Sequence, residues 1–277
     1  MPVTQPEPAA GGSRPDGIPL VIAHRGSSAA APEHTLGAYR LAIAEGADGL
    51  ECDVRFSADG ELVCLHDRTV ERTSDAVGVV ATKTLAQLRA MDWGGWREAE
   101  PAVAQDPDNR SLVTLRELIE LALGAGREIG LAIETKHPSR FGGKVEHEVT
   151  RLLKEYDLDG ARRPGQPWAR MMSFSQLAIR RMSELCPRLP TVSLVAAPVP
   201  PSFRGGAVPG GAGTAGLDVA ILREAPEVVL RQHEQGHEVF VWTVDEEVDV
   251  RLCLDLGVDA IISNRPRLVL DLVGGNR

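Results

Sequence analysis

The sequence predicts an α/β protein, a (β/α)8 (TIM) barrel, and three observations carry that prediction. Eight short apolar runs recur along the 277 residues: 19–24, 49–54, 61–66, 129–135, 169–174, 189–195, 238–244 and 260–263. They are apolar on both faces, as strands must be when helices cover them. Helical patterns separate most of them, the rhythm of a closed parallel barrel. The rival, an open doubly wound sheet, usually shows a glycine-rich phosphate loop after its first strand. The corresponding segment, HRGSSAAA (24–31), contains neither GxGxxG nor a P-loop.

Each helix carries its own signals. Thr35 precedes LGAYRLAIAEG (36–46), whose apolar residues recur at helical spacing and whose Gly46 reads as a stop. Thr114 and Glu117 form a capping-box signature. The segments 145–158 and 175–186 follow the same periodicity, and Pro187 ends the second. The last two patterns, 227–236 and 248–257, each finish on glycine. A ninth apolar run, LDVAI (217–221), has no evident place in this scheme.

Two stretches break the rhythm. Residues 68–111, with MDWGGW at 91–96, read as a small insertion after the third strand. Residues 198–216 carry six glycines and read as a flexible loop or a lid over the C-terminal end of the sixth strand. Residues 1–17, rich in Pro, Gly, Ala and Ser, read as a disordered tail, which leaves 18–272 for the barrel.

Composition narrows the function classes. Aromatics are only 4%, so aliphatic side chains must fill the barrel interior. The formal charge of −9 argues against nucleic acid as a partner, while a small anion remains possible where a metal or arginine inverts the local field. The chain has no apolar stretch of ~20 residues, so no membrane insertion is expected. Its N-terminus lacks a basic start and an apolar core, so no signal peptide is expected and the location reads as cytoplasmic. The four cysteines (Cys52, Cys64, Cys186, Cys253) form no CxxC pair and read as buried thiols.

In barrel enzymes the chemistry sits at the C-terminal strand ends. Here those ends carry His24 and Arg25, Glu51 and Asp53, His66, Glu134 and Lys136, and Trp242. Glu51 and Asp53, two apart on a strand, point the same way. Like charges at ~4 Å repel by ~4 kcal/mol at an effective dielectric of ~20, so raised pKa values, a basic partner or a cation must offset them. Taken alone, E-x-D reads first as a solvated pair on a strand end. With Glu134 it becomes a hard-oxygen set suited to one divalent cation, Mg²⁺ or Ca²⁺. His24 and His66 are either structural or the acid and base that phosphodiester cleavage needs near neutrality. Arg25 and Lys136 either neutralise phosphoryl oxygens or pair with neighbouring acids.

These residues also lie in motifs. HRG (24–26), PEHT (32–35), GADGLECDV (46–54), SADG (57–60) and HDRTVERT (66–73) resemble, in order, segments of the glycerophosphodiester phosphodiesterase family. TLRELIELA (114–122), IETK (133–136), VWTVD (241–245) and GVDAIISNRP (257–266) extend the resemblance over roughly 18–270. It implies a (β/α)8 barrel and a small-molecule glycerophosphodiester substrate. It also implies Glu51, Asp53 and Glu134 as metal ligands and His24 and His66 as the acid–base pair. Arg25 and Lys136 would contact phosphate, with Glu33 holding Arg25. Trp242 would pack on glycerol, or else belong to the core. His34 departs from the family's PENT box, where Asn is expected; it either weakens a supporting hydrogen bond or adds a titratable group. His137, after IETK, reads as an exposed loop residue, and His147, His233 and His237 as surface residues.

The expected reaction is metal-dependent hydrolysis to glycerol 3-phosphate and an alcohol, with His24 as base and His66 as acid. Water or the substrate's own glycerol hydroxyl would be the nucleophile. Two rivals stand beside it: a phospholipase D-like enzyme acting on lysophospholipids, and a non-catalytic phosphodiester-binding protein.

Overall fold

The computed structural model describes residues 17–97, 101–160, 168–198, 203 and 206–274. The 1–16 part of the expected tail and parts of 198–216 lie outside them. Nine strands form one sheet: β1 (Leu20–His24), β2 (Gly49–Phe56), β3 (Leu62–Cys64), β4 (Gly130–Thr135), β5 (Trp168–Ser173), β6 (Thr191–Val195), β7 (Thr214–Asp218), β8 (Glu238–Trp242) and β9 (Ala260–Ser263). All but β3 pair in parallel, and β1 pairs with both β2 and β9, which closes an eight-stranded ring. The fold is the (β/α)8 barrel that the periodicity predicts.

The identity of one barrel strand differs from expectation. The run at 61–66 contains β3, which lies antiparallel on β2, with Val54 opposite Cys64 and Phe56 opposite Leu62. The reason is the length of the connection. A parallel crossover needs roughly a dozen residues, and the five between Phe56 and Leu62 permit only a hairpin. The missing eighth strand is β7, which takes in only the first two residues of LDVAI; the rest begins a helix, Val219–Glu224. Its centre, Ala215 and Gly216, is small because the interior is crowded there. A Cβ on Gly216 would stand 2.7 Å from Leu194 Cδ2 and 2.9 Å from Val192 Cγ1.

Ten helices with described bounds lie between or after the strands: α1 (Leu36–Glu45), α2 (Leu85–Arg89), α3 (Pro101–Gln105), α4 (Leu115–Leu123), α5 (Lys144–Glu155), α6 (Gln176–Leu185), α7 (Val219–Glu224), α8 (Glu227–Glu234), α9 (Glu247–Leu256) and α10 (Pro266–Gly274). The boundary signals act as read. The Thr35 hydroxyl accepts from the Ala38 amide and Gly46 ends α1 at φ 103°. Thr114 and Glu117 close a reciprocal capping box on α4, typically worth ~1 kcal/mol.

Side chains alternate across the barrel wall. Leu20, Ile22, Ala132, Met172, Val192, Leu194, Phe240 and Ile262 fill the interior. The alternate residues, such as Leu50, Cys52, Val54, Leu131 and Ile133, face the helices. The same alternation turns Glu51, Asp53 and Glu134 inward. The inserted region builds a small core of its own on Val63, Leu65, Val70, Val80, Leu88 and Trp93; Trp93 of MDWGGW is buried and donates its indole N–H to the Leu88 carbonyl at 2.8 Å. The described part of 198–216 is packed: Phe203 is wholly buried, and Gly210 lies against Ile179. All four cysteines are buried and unpaired. No helix among the described residues is long and apolar enough to cross a membrane.

Candidate active site

Sheet register assembles the acidic cluster. Parallel pairing sets His24 beside Glu51 and Asp53 beside Glu134. One oxygen from each of Glu51, Asp53 and Glu134 lies within 4.8 Å of the others, and all three residues are buried. Burial and the neighbouring Asp53 charge push Glu51 well up and Glu134 to about 7. Burial also acts to raise Asp53. The hydrogen bond from His34, with the charges of Lys136 and Arg25, outweighs it and holds that carboxyl well below its usual range.

The HRG turn brings cations to this cluster. Arg25 and Gly26 both take left-handed conformations, at φ 58° and 84°. Gly26 is obligatory, because a Cβ there would lie 2.6 Å from the Ala38 backbone. The turn aims the Arg25 amide at Glu51 Oε2 (3.0 Å). The Arg25 guanidinium sits between Glu33 (3.0 Å) and Asp53 (3.1 Å). The Lys136 ammonium lies 2.9 Å from Asp53 Oδ1 and 2.8 Å from Glu134 Oε1. Of the two alternatives open for Arg25 and Lys136, the structure shows the second: they pair with neighbouring acids, beside a cavity that both line.

His34 replaces the expected Asn without loss of a hydrogen bond. It is buried, its Nε2 is 2.9 Å from Asp53 Oδ2, and its Nδ1 is 2.7 Å from the Tyr39 hydroxyl. A carboxylate only accepts, so Nε2 carries a proton; the Tyr39 hydroxyl on the Nδ1 side also lies 3.3 Å from the Glu51 carbonyl. Burial lowers the pKa of His34, which keeps the ring neutral.

The two catalytic candidates are anchored differently. Asp245 Oδ2 accepts from Asn264 Nδ2 at 2.6 Å, which turns Asn264 Oδ1 toward His24 Nδ1 at 2.7 Å. His24 therefore carries its proton on Nδ1 and presents a bare Nε2, 3.9 Å from Glu51. Burial, reinforced by the Arg25 charge, lowers its pKa to about 3. His66 Nδ1 meets Asp67 Oδ1 at 2.6 Å, and the ring is 36% exposed. Asp67 binds Arg72 (2.5 Å), Arg72 binds Glu33 (2.7 Å), and Glu33 binds Arg25, so one chain of ion pairs ties the HDRTVERT segment to the carboxylate cluster. Those contacts hold Glu33 down at about 2, against the effect of its burial.

His24, Arg25, Glu51, His66, Glu134, Lys136 and Trp242 line one cavity of about 120 Å³; Asp53 and Glu33 support it from behind. All nine candidate residues thus come together. Trp242 packs on the barrel interior and also faces the cavity, with its ring centroid 5.4 Å from that of Phe174, edge to face, and its indole N–H on the Gly216 carbonyl. Asp67, Arg72, Asp245, Asn264 and Ser28 were not singled out by sequence reasoning. Four of them stand inside motif segments already quoted, and that was the available signal. His137 corrects an expectation: it is largely buried, 2.6 Å from Glu146, which also takes Arg181. His233 pairs with Asp259 at 2.9 Å, and His147 is exposed.

The cluster fits a divalent cation. The donors are hard carboxylate oxygens, buried and within 4.8 Å of one another. Three carboxylates, Glu51, Asp53 and Glu134, face two cations, Arg25 and Lys136, so their full ionisation leaves negative charge uncompensated; Glu33 is matched by Arg72. Glu51, Asp53 and Glu134 are the residues that could hold the ion.

Comparison with known proteins identifies the family. Residues 24–268 match the glycerophosphoryl diester phosphodiesterase family. A Mycobacterium tuberculosis protein named probable glycerophosphodiester phosphodiesterase 1 is 43% identical over 251 residues, 90% of each chain. The glycerophosphodiester phosphodiesterase of Bacillus subtilis is 34% identical over 259 residues, 92% of this chain and 86% of that one. Among solved structures, an Oleispira antarctica phosphodiesterase in complex with the product sn-glycerol-3-phosphate superimposes with a TM-score of 0.78, covering 94% of this chain and 98% of that one at 26% identity. Motifs, barrel and relatives agree: this chain belongs to the glycerophosphoryl diester phosphodiesterase family.

Proposed function

We propose that this enzyme hydrolyses glycerophosphodiesters to glycerol 3-phosphate and an alcohol, using His24 and His66 as base and acid and one divalent cation, Mg²⁺ or Ca²⁺, at Glu51, Asp53 and Glu134. The observation that carries the reading is the pair of anchored imidazoles lining the same small cavity as the buried carboxylates. When bound, the cation supplies Lewis-acid polarisation of a phosphoryl oxygen and a template for the glycerol hydroxyls. His24, with Nδ1 committed to Asn264, offers Nε2 to the proton of the attacking oxygen. His66, beside the Asp67 carboxylate, is the group suited to protonate the leaving alcohol. Arg25 and Lys136 face the phosphoryl oxygens, and Trp242 offers glycerol an apolar wall. Substrate is a small molecule; the negative net charge favours no nucleic-acid partner.

Metal-supplemented protein incubated with glycerophosphocholine and glycerophosphoethanolamine should release glycerol 3-phosphate, measured enzymatically. No release from either diester would retire the reading. The phospholipase D-like alternative draws on Phe174 and Leu177, exposed near the mouth. A cavity of about 120 Å³ is small against the ~300–1,000 Å³ of sites for larger ligands, which disfavours an acyl chain. Turnover of lysophosphatidylcholine alone would reverse that choice, and calorimetric binding without product would favour the non-catalytic one.

A further inference from the structure

A second cavity, of about 340 Å³, opens beside the catalytic one. Lys136 lines both, so the two share a wall. Arg55, Arg68 and Arg140 bring three guanidiniums to this second cavity, and no carboxylate lines it. Phe56 and Phe141, edge to face at 5.0 Å, supply an apolar side. The charge pattern is unusual for this chain. Arg25, Arg72, Arg170, Arg181 and Arg223 each sit on a carboxylate. Arg55, Arg68 and Arg140 form no ion pair with the described residues: Arg55 donates twice to the His66 carbonyl, at 2.9 and 2.7 Å, and Arg140 stacks over Phe141. Burial lowers the pKa of Arg55 most; the more distant charges of Asp53, Asp67 and Glu134 act against it, and that of Arg68 adds to it. Guanidiniums without an ion-pair partner among the described residues, gathered around a concavity in a protein of net charge −9, mark a place for an anion.

Position says which anion. Arg55 is tied to the backbone of His66, and Arg68 follows two residues later, so the cavity lies on the side of the proposed general acid. A leaving alcohol protonated by His66 departs toward it.

We propose that this cavity is a specificity subsite for a terminal phosphoryl group carried by the leaving alcohol. The preferred substrates are then glycerophosphodiesters whose alcohol bears a second phosphate, rather than those with a cationic head group. Three forked guanidiniums match the several oxygens of a phosphate dianion better than a single carboxylate. The apolar wall of Phe56 and Phe141 suits the carbon skeleton between the two phosphates. This inference rests on the hydrolase reading, and the experiment separates the two.

The probes are a matched pair: glycerophosphopropanediol, and the same diester phosphorylated on its free hydroxyl. Both yield glycerol 3-phosphate as the measured product, and glycerophosphocholine is the third arm. The native enzyme should show kcat/KM at least ~10-fold higher for the phosphorylated diester, the scale of two or three charge-assisted contacts. Arg68→Ala with Arg140→Ala should bring that preference to within about twofold while leaving the unphosphorylated diester unchanged, because both side chains are exposed and lie outside the catalytic cavity. Arg140→Glu should lower the phosphorylated diester further still. Hydrolysis of all three diesters without preference overturns the subsite alone, as does an equal loss on both paired probes in the double variant. Hydrolysis of none overturns the hydrolase reading and the subsite with it.

Discussion

The two ends of the barrel interior both bury charge, and they do so in opposite ways. Toward the N-terminal end, Arg170 forms a two-pronged ion pair with Glu238 at 2.5 and 3.2 Å, Thr214 hydrogen-bonds to both, and the Phe240 ring lies 5.0 Å from the guanidinium. One cation, one anion and one hydroxyl close on themselves. At the C-terminal end, Glu51, Asp53 and Glu134 share Arg25 and Lys136, and the balance stays negative when all three are ionised. A matched buried pair has no capacity left for a ligand and serves structure. An unmatched cluster costs stability and is kept where it can act on something, here a cation and a phosphodiester. The comparison predicts that changes at the mouth alter activity far more than folding, and changes at the base the reverse.

The largest expected effect is metal removal. Dialysis against EDTA should abolish turnover, and Mg²⁺ or Ca²⁺ should restore it. Full activity after chelation, with metal content verified as negligible, would remove the reason for the unbalanced mouth. Next come the imidazoles: His24→Ala and His66→Ala should each lower kcat ~100-fold or more, the usual scale for a lost acid or base, with melting temperatures close to the parent. If either variant turned over normally, that histidine would join the structural class that the base of the barrel represents.

Much of this contrast is legible from residues alone, and the reasons for the rest are specific. Glu51, Asp53 and Glu134 could be read because strand alternation fixes which side chains share a face, and the parallel register then brings neighbouring strand ends together. The eighth barrel strand was not legible: TAGLD has one β-branched residue, Thr214, where a strand usually shows several, and Gly216 must leave room for Leu194 and Val192. The hairpin at Leu62–Cys64 could have been read from the brevity of its connection but was masked by an apolar pattern identical to that of a barrel strand. Asn264 and Asp245 act on His24 from 240 and 19 residues away from their respective partners, and no local pattern encodes such a relay. The Arg170–Glu238 pair fails for the same reason, as 68 residues separate partners that only barrel closure brings together.

That pair supplies the next test. Arg170→Ala strands the Glu238 carboxylate in the interior and should lower unfolding free energy by ~3 kcal/mol, the low end for breaking a buried pair. Urea denaturation measures it, and kcat of the folded variant should stay within about twofold of the parent. A large loss of kcat with unchanged stability would mean that the two ends are not separate in role.

The smallest effect is the most diagnostic, because its sign is unusual. Glu134 ionises at about 7 in the metal-free fold against an ordinary 4.5, burial and the Asp53 charge being the cause. Below about pH 4.5 the carboxyl is protonated in both folded and unfolded chains and costs nothing. As pH rises toward 7 the unfolded chain releases its proton first, so this group makes the metal-free fold progressively less stable over that window. Glu134→Gln removes the titration while keeping a side chain of the same shape. The metal-free variant should therefore be more stable than the metal-free parent by on the order of 1–2 kcal/mol at pH 7.5, with the difference vanishing near pH 4.5, while its catalytic activity is lost. Parallel stability curves for variant and parent across that range would mean that Lys136 and Arg25 already neutralise the mouth as completely as Arg170 neutralises Glu238, and that nothing there calls for a cation.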